Sequence, residues 1–429
     1  MKSFALIFIP FSGWTGLYDN VLTLEEAVSL ARKNSYIVKT AEEEINLVKG
    51  QLDESRSNVY PKLNFDATYT RFTKDFKVSF DENSPPVVFR PIDRASLQLN
   101  LMQIIDLSGS LNLGISAADS LLKVSESYLE AAKNNAELSV KQVYFQVIKA
   151  IELVEVAKEG ENNAKQRLAL AEKRVDAGVA PRFEIIRAQA AVSAAEQDVI
   201  RAENAVQIAK STLNNILARD ISIDFETETI SEPQIIEMDL EELTEEALEN
   251  RPEIHALDHR LNFQISARKA RSRGNYPSLT LNARFERDPK AQGFASEKDT
   301  LSATAMLSVP IFDAGQTKAR TKQATAEENK ARIALQETEL AIRLEVRQAY
   351  LDLQTAQKVI ESAKKSVSEA TEALRLANVR YEAGVGTQID VSDAEVLYKN
   401  AKNNYVSAVA DYRIAFARLQ RAVGKEILY

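Results

Sequence analysis

The sequence predicts a mainly α protein in which one unit is written twice: a helix, a pair of strands, then two long helices. Three observations predict it. The first is a ladder of apolar and small residues at alternating gaps of four and three, running Val346, Ala349, Leu353, Ala356, Ile360, Ala363, Val367, Ala370, Leu374, Ala377, Tyr381. A sustained three/four spacing is the seam of a coiled coil. The second is that the ladder reappears at a fixed offset of 206 (346 − 140), through Val140, Val143, Val147, Ala150, Val154, Ala157, Ala164, Leu168, Ala171 and Val175, with one polar slip at Glu161. A shared offset over about 80 residues is an internal duplication. The third is strict two-residue alternation after each of two Tyr-Pro pairs, Tyr60-Pro61 and Tyr276-Pro277. Period two means strand.

The bulk numbers exclude several function classes. A net charge of -8 with no basic stripe argues against a nucleic-acid partner. Cysteine is absent, which removes disulfides, thiolate metal sites, cysteine nucleophiles and a lipid anchor on a mature N-terminal Cys. No phosphate-binding glycine loop occurs, and no Ser-His or Cys-His nucleophile arrangement is suggested, so a helical enzyme lacks a catalytic constellation. His255 and His259 lie four apart on a predicted helix, but Ala256, Leu257 and Asp258 between them supply no general-base Glu. They read as a solvated face, and neither a metal nor a cofactor is expected. No apolar run of about 18 residues is present, so no transmembrane helix is expected.

Taken in order, the elements are these. Lys2, the apolar run Phe4–Ile9 and the small residues Ser12 to Gly16 read as a short secretory signal peptide over residues 1–18. The first helix starts at Thr23, paired with Glu26 as a capping box, and runs to about Asn58. Its second copy starts with Asp239 and Glu242 in the same relation and stops before Pro277; here the offset is 216 (276 − 60). Leu63, Phe65, Ala67 and Tyr69 then face one way, and Asn64, Asp66, Thr68 and Thr70 the other. Leu279, Leu281, Ala283 and Phe285 repeat this against Thr280, Asn282, Arg284 and Glu286. Second strands follow at Leu97, Leu99, Leu101 and at Leu301, Ala303, Ala305, Leu307, Val309. The loops within each strand pair are polar and hold Pro85-Pro86, Pro91, Pro289 and Gly293.

Between Gly315 and Gly384 there is neither Gly nor Pro, so that stretch forms one helix of roughly 65 residues, about 100 Å long. Its first-copy equivalent covers about residues 115–177, with Gly160 tolerated inside it. Gly178 and Gly384 end these helices, and new ones follow at once. Pro181 suits a first-turn position, and Thr387 with Asp390 resembles a capping box. Residues 219–238 are a non-repeating acidic connector. The expected organisation is a signal peptide over 1–18, repeats over 19–218 and 239–424 around that connector, and a tail over 425–429.

Four strands of about ten residues, each with one apolar and one wet face, have the lipid-out, lumen-in pattern of an outer-membrane barrel. Four cannot close, and an open edge in lipid leaves backbone groups unpaired at several kcal/mol each, so protomers must associate. Three chains give about twelve strands, and two give about eight.

The chain resembles the TolC-like outer-membrane efflux channels. The residues that carry the likeness are the duplicated Tyr-Pro helix ends, the strand exit Val309-Pro310-Ile311-Phe312-Asp313-Ala314-Gly315, and the paired turns Ala177-Gly178-Val179 and Ala383-Gly384-Val385. Each turn is followed by an acidic-aliphatic pair, Glu184-Ile185 or Asp390-Val391. The resemblance spans about residues 20–424 and implies a homotrimer with a twelve-stranded barrel in outer-membrane lipid. A long periplasmic α-barrel would taper shut at its tip. A periplasmic adaptor and an inner-membrane transporter would be partners, and the function implied is passive export of small molecules, ions or proteins.

The resemblance also implies site residues. Asp390 and Asp393 match two carboxylates that ring the closed tip in several members; a spacing of three puts both on one helix face. Glu184 and Tyr381 match an acid and a tyrosine that latch the helix pairs together. A latch arginine of some members is replaced by Gly386, with Arg182 or Arg187 as candidate substitutes. Gly178, Val179, Ala180 and Pro181, with Gly384, Val385, Gly386 and Thr387, match the tip that meets the adaptor. The competing expectation is a periplasmic coiled-coil scaffold without a pore, which has no need of a lipid-facing belt.

Overall fold

The structure is a computed structural model that describes residues 21–80, 85–228, 238–289, 291 and 297–425. The expected signal peptide lies outside the described residues, as do residues 229–237 of the acidic connector and all but Lys425 of the tail. In chain order the elements are β1 (Val21–Leu22), α1 (Leu24–Asn34), α2 (Tyr36–Ser57), β2 (Lys62–Arg71), β3 (Phe76–Val78), β4 (Val87–Arg90), β5 (Asp93–Ile105), α3 (Ser110–Asp176), α4 (Phe183–Ile216), β6 (Glu226–Thr227), α5 (Leu240–Asn250), α6 (Pro252–Arg271), β7 (Ser278–Arg287), β8 (Asp299–Ser308), α7 (Gln316–Glu382) and α8 (Gln388–Val423).

The chain divides into two units. One holds residues 40–131 and 251–343; the other holds the described parts of 1–39, 132–250 and 344–429. The first contains the four-stranded antiparallel sheet, in the order β2-β5-β7-β8. A strand of each copy thus meets at its centre. The register aligns the alternation seen in the sequence. Phe65 lies opposite Leu99, Leu99 opposite Phe285 and Phe285 opposite Leu301, an apolar row across the sheet. Asn64, Asn100, Arg284 and Ser302 form the matching row on the other face. That face bonds internally: Asn100 Nδ2 donates to Asp66 at 3.0 Å, and Arg284 Nε donates to Asn100 Oδ1 at 2.8 Å. Gln103 interrupts the apolar face opposite Leu281, and its amide donates to the Val59 backbone carbonyl at 3.0 Å. Phe65 and Leu301 are 66% and 77% exposed, far more than a water-facing sheet of this kind leaves bare.

Each sheet turn leads into a long helix. Gly109 (φ 67°) and Gly315 (φ 84°) take the left-handed conformation that admits the sharp exit. Asp313 accepts from the backbone N–H groups of Gly315 and Thr317 at 3.0 and 2.7 Å, and Asp106 accepts from Asn112 at 3.1 Å.

The other unit is mainly helical, with the β1–β6 pair beside its helices. α3 and α7 each run 67 residues and belong in part to each unit, and α3 continues through Gly160. The ladder residues form its seam: Val140, Val147, Val346 and Val391 are fully buried. α1 meets α3 through a polar cluster. Glu137 accepts from Arg32 and Lys141, both at 2.8 Å, and Lys141 also donates to Gln420 at 2.9 Å.

The structure departs from the sequence reading in six places. The helix expected over Thr23–Asn58 is two, broken at Ser35, whose ψ of 138° leaves the helical region. The second copy breaks at Arg251, the equivalent position (251 − 35 = 216), where Pro252 disfavours a helical residue before it. The first copy's strand loop carries its own small pair, β3 with β4. The connector is not isolated, because β6 pairs in parallel with β1. Asp239 accepts from Glu241 N at 2.9 Å in place of a reciprocal box with Glu242. Finally, Pro181 stands before its helix, which starts at Phe183.

Candidate functional site

The turns α3–α4 and α7–α8 are built alike at their start. Gly178 (φ 74°) and Gly384 (φ 78°) end the long helices in the left-handed conformation. Val179 N then donates to the Arg174 carbonyl and Val385 N to the Arg380 carbonyl, both at 3.0 Å, closing the orphaned last turn of each helix. From two positions past each glycine, the copies part company.

In the second copy, Thr387 caps α8. Its hydroxyl accepts from Asp390 N at 3.2 Å, and the Asp390 carboxylate accepts from Thr387 N and Oγ1 at 2.9 and 2.8 Å. These bonds hold the Asp390 carboxyl below the usual carboxylate range, with Arg380 adding to the effect. Asp393 follows one turn on, and both carboxylates are exposed. In the first copy, Arg182 precedes α4 with no side-chain cap. Glu184, the counterpart of Asp390 (390 − 184 = 206), instead accepts from the Tyr381 hydroxyl at 3.1 Å. Glu184 and Tyr381, expected together, are thus brought together. Burial, reinforced by the Glu184 bond, pushes the Tyr381 phenol above its ordinary pKa.

Sequence reasoning missed Arg174. Its guanidinium lies over the Tyr381 ring at 4.5 Å, and its Nη1 donates to the Tyr381 carbonyl at 3.1 Å. The arginine on this tyrosine is therefore Arg174, and not Arg182 or Arg187. The available signal was its place beside the seam residue Val175. Gly386 also has a local reason. A Cβ there would lie 3.0 Å from Tyr381 N and 3.1 Å from the Arg380 carbonyl carbon, so a side chain would require the turn to give by a few tenths of an ångström. His255 and His259 sit on α6, and among the described residues no group of three potential metal ligands gathers around them.

The sheet with two faces, the duplicated long helices and the acidic turn now stand together. Residues 27–219 and 243–425 match the family model described as outer membrane efflux protein. The chain belongs to the outer membrane efflux protein family. It is a TolC-like efflux channel protein of the outer membrane that extends into the periplasm. It is 24% identical over 407 residues to the outer membrane protein OprJ of Pseudomonas aeruginosa, covering 94% of this chain and 84% of that one. It is also 24% identical over 405 residues to the cobalt-zinc-cadmium resistance protein CzcC of Cupriavidus metallidurans, covering 94% and 90%. The CmeC outer membrane channel of Campylobacter jejuni shares the fold, with a TM-score of 0.78, 21% identity, and coverage of 95% of this chain and 86% of that one. Among the described residues no helix is long and apolar enough to cross a membrane. The four-stranded sheet is the part of this efflux-family chain that carries apolar rows of the right length.

Proposed function

We propose that this protein is the passive exit duct of a tripartite efflux or type I secretion system, moving small molecules, ions or proteins from the periplasmic side to the outside. One observation carries the reading: a sheet with register-aligned apolar rows on one face, a bonded polar face behind it, and unpaired outer edges on β2 and β8. Such a sheet is stable in lipid only when copies close it. Three copies supply about twelve strands, an even number in the range of outer-membrane barrels, which leaves a wet lumen lined by Asp66, Asn100, Arg284 and Glu286.

In the other unit, Asp390 and Asp393 would line the constriction. Three copies place about six carboxylates around one opening, which favours cations. Tyr381 and Glu184 serve as the latch that holds the second-copy hairpin against the first. The turns Gly178–Pro181 and Gly384–Thr387 would receive a periplasmic adaptor, which couples the duct to an inner-membrane transporter. The chain offers no catalytic constellation, so energy and cargo choice lie with that transporter. The name of CzcC points to metal ions as one cargo class for such ducts.

Ion conductance of purified protein in a planar bilayer tests the proposal. Small, cation-selective steps are expected, and Asp390→Ala with Asp393→Ala should weaken the cation preference. Inserted protein that never conducts, with or without those substitutions, would favour a scaffold.

A further inference from the structure

Above the tip, α3 and α8 are joined by an ion pair that the gate and latch do not use. Arg167 bonds to Glu395, and the two side chains retain only 15% and 18% exposure. Arg167 Nε is buried with no hydrogen-bond partner among the described residues. The pair borders a cavity of about 220 Å³ walled by Ala164, Ala191 and Ala195, among small residues that let the helices close up. The polar links Tyr398 to Glu159 at 2.7 Å and Lys399 to Asp198 stand beside it.

A pair this sheltered adds little stability. Taking two charges out of water offsets most of their attraction, and removing both for apolar groups is often neutral. Burial here pushes the Glu395 carboxyl up and the Arg167 guanidinium down, so on both sides desolvation outweighs the partner. What the pair supplies is register. The Ala and Val ladder repeats every heptad and would accept α8 slid along α3, whereas a slid pair would leave two charges unmatched in the seam.

The duplication sharpens this. Shifted by the repeat offset of 206 (391 − 185), Arg167 becomes Ala373 and Glu395 becomes Gln189, so the reciprocal seam cannot form the bond. The neighbouring Glu159–Lys402 pair behaves otherwise: it maps to Lys365 and Glu196, whose charges are swapped but still opposite.

We propose that Arg167 and Glu395 are the register clamp of the closed tip. They fix α8, and with it Asp390 and Asp393, at one axial position on α3 of the same chain, and opening requires α8 to part from α3 at this pair. The inference rests on the reading of Asp390 and Asp393 as pore-lining.

The test is single-channel conductance with thermal stability measured on the same full-length, membrane-inserted protein. Arg167→Met with Glu395→Leu removes both charges at similar volume; it should melt like wild type and conduct severalfold more. Arg167→Glu alone should also raise conductance, and adding Glu395→Arg should restore the wild-type level. Wild-type conductance from the apolar pair, its failure to fold, or a swapped pair that stays leaky would each overturn the clamp. The pore-lining reading fails separately: unchanged selectivity in Asp390→Ala with Asp393→Ala, beside raised conductance in the apolar pair, keeps the clamp and moves the constriction to other residues.

Discussion

The two copies of the repeat agree along most of their apolar seams and differ at several of the polar contacts made around them. The agreement is close. Both copies break their first helix at equivalent positions, Ser35 and Arg251, both exit the sheet through a left-handed glycine, and both end a 67-residue helix with the same backbone bonds. The differences fall at the contacts that give the molecule a direction. Glu137 becomes Arg343, Lys141 becomes Arg347, Tyr381 answers to Val175, and Thr387 to Pro181, each at the repeat offset of 206 (343 − 137). Periodic apolar seams set the architecture and are indifferent to which copy carries them. Unshared polar residues make contacts that only one copy can form, such as the Tyr381–Glu184 hydrogen bond. The comparison predicts that substitutions at shared positions damage assembly, and those at unshared positions damage specificity or one local joint.

The largest effect is expected at an unshared cluster. Glu137 sits between Arg32 and Lys141, and its pKa reflects two opposed influences: burial raises it, while Lys141 and then Arg32 lower it and prevail. Glu137→Gln leaves two cations facing each other in a sheltered joint and should cost about 3–5 kcal/mol, read by thermal or denaturant unfolding. The sign with pH follows. Because the folded pKa lies below the unfolded value of about 4.5, this stabilisation is fully present above that value and is lost as pH falls through the lower folded one. The variant should therefore lose stability at neutral pH and show a shallower acid limb. A parallel acid limb, displaced but unchanged in slope, would show that Glu137 is not the group that titrates there.

A shared position comes next. Phe65 lies in the apolar row with Leu99, Phe285 and Leu301, and its counterpart in the second copy is Leu281 (281 − 65 = 216). Phe65→Arg should cost about 2–4 kcal/mol if the row crosses the bilayer near its midplane, and should reduce the yield of assembled protein in the outer membrane. Asn64→Arg, one residue away on the wet face, should be tolerated. Equal losses from the two variants would mean that the faces are assigned the wrong way round.

Most of the fold was legible because it rests on periodicity. The three/four ladder, the two-residue alternation and the Tyr-Pro ends each follow from a backbone geometry that admits few other readings. The capping boxes at Thr23 and Thr387 were legible for the same reason, since a hydroxyl three residues before an acid has an obvious local use. The breaks at Ser35 and Arg251 both went unread: no proline marks the first, and the apolar periodicity on either side of Pro252 masked the second. At the site, Tyr381 and Glu184 were named only through family resemblance, their sequence separation being too great for spacing to join them. Arg174 and the Arg167–Glu395 pair escaped entirely. A charged residue at the flank of a seam looks solvated in sequence and is buried only once its partner helix is in place.

The smallest effect tests the latch itself. Tyr381→Phe keeps the ring under Arg174 and removes only the hydroxyl that donates to Glu184 at 3.1 Å. Glu184 keeps partial access to water, so the bond is worth about 1 kcal/mol, and the fold should survive intact. Bilayer conductance is the sensitive readout. If the hydroxyl holds the second-copy hairpin shut, the variant conducts more than wild type at unchanged thermal stability. If conductance stays at the wild-type level and rises only in Arg174→Leu, the latch is the stacked arginine, a position both copies fill with arginine (Arg174 and Arg380), and the residue that closes the tip lies on α3 and not α4. Gly386→Ala separates the two further, because its Cβ would press on Tyr381 N and Arg380 and so shift the ring without touching either partner. A rise in that variant together with the phenylalanine variant would place control in the position of Tyr381, whichever side chain holds it.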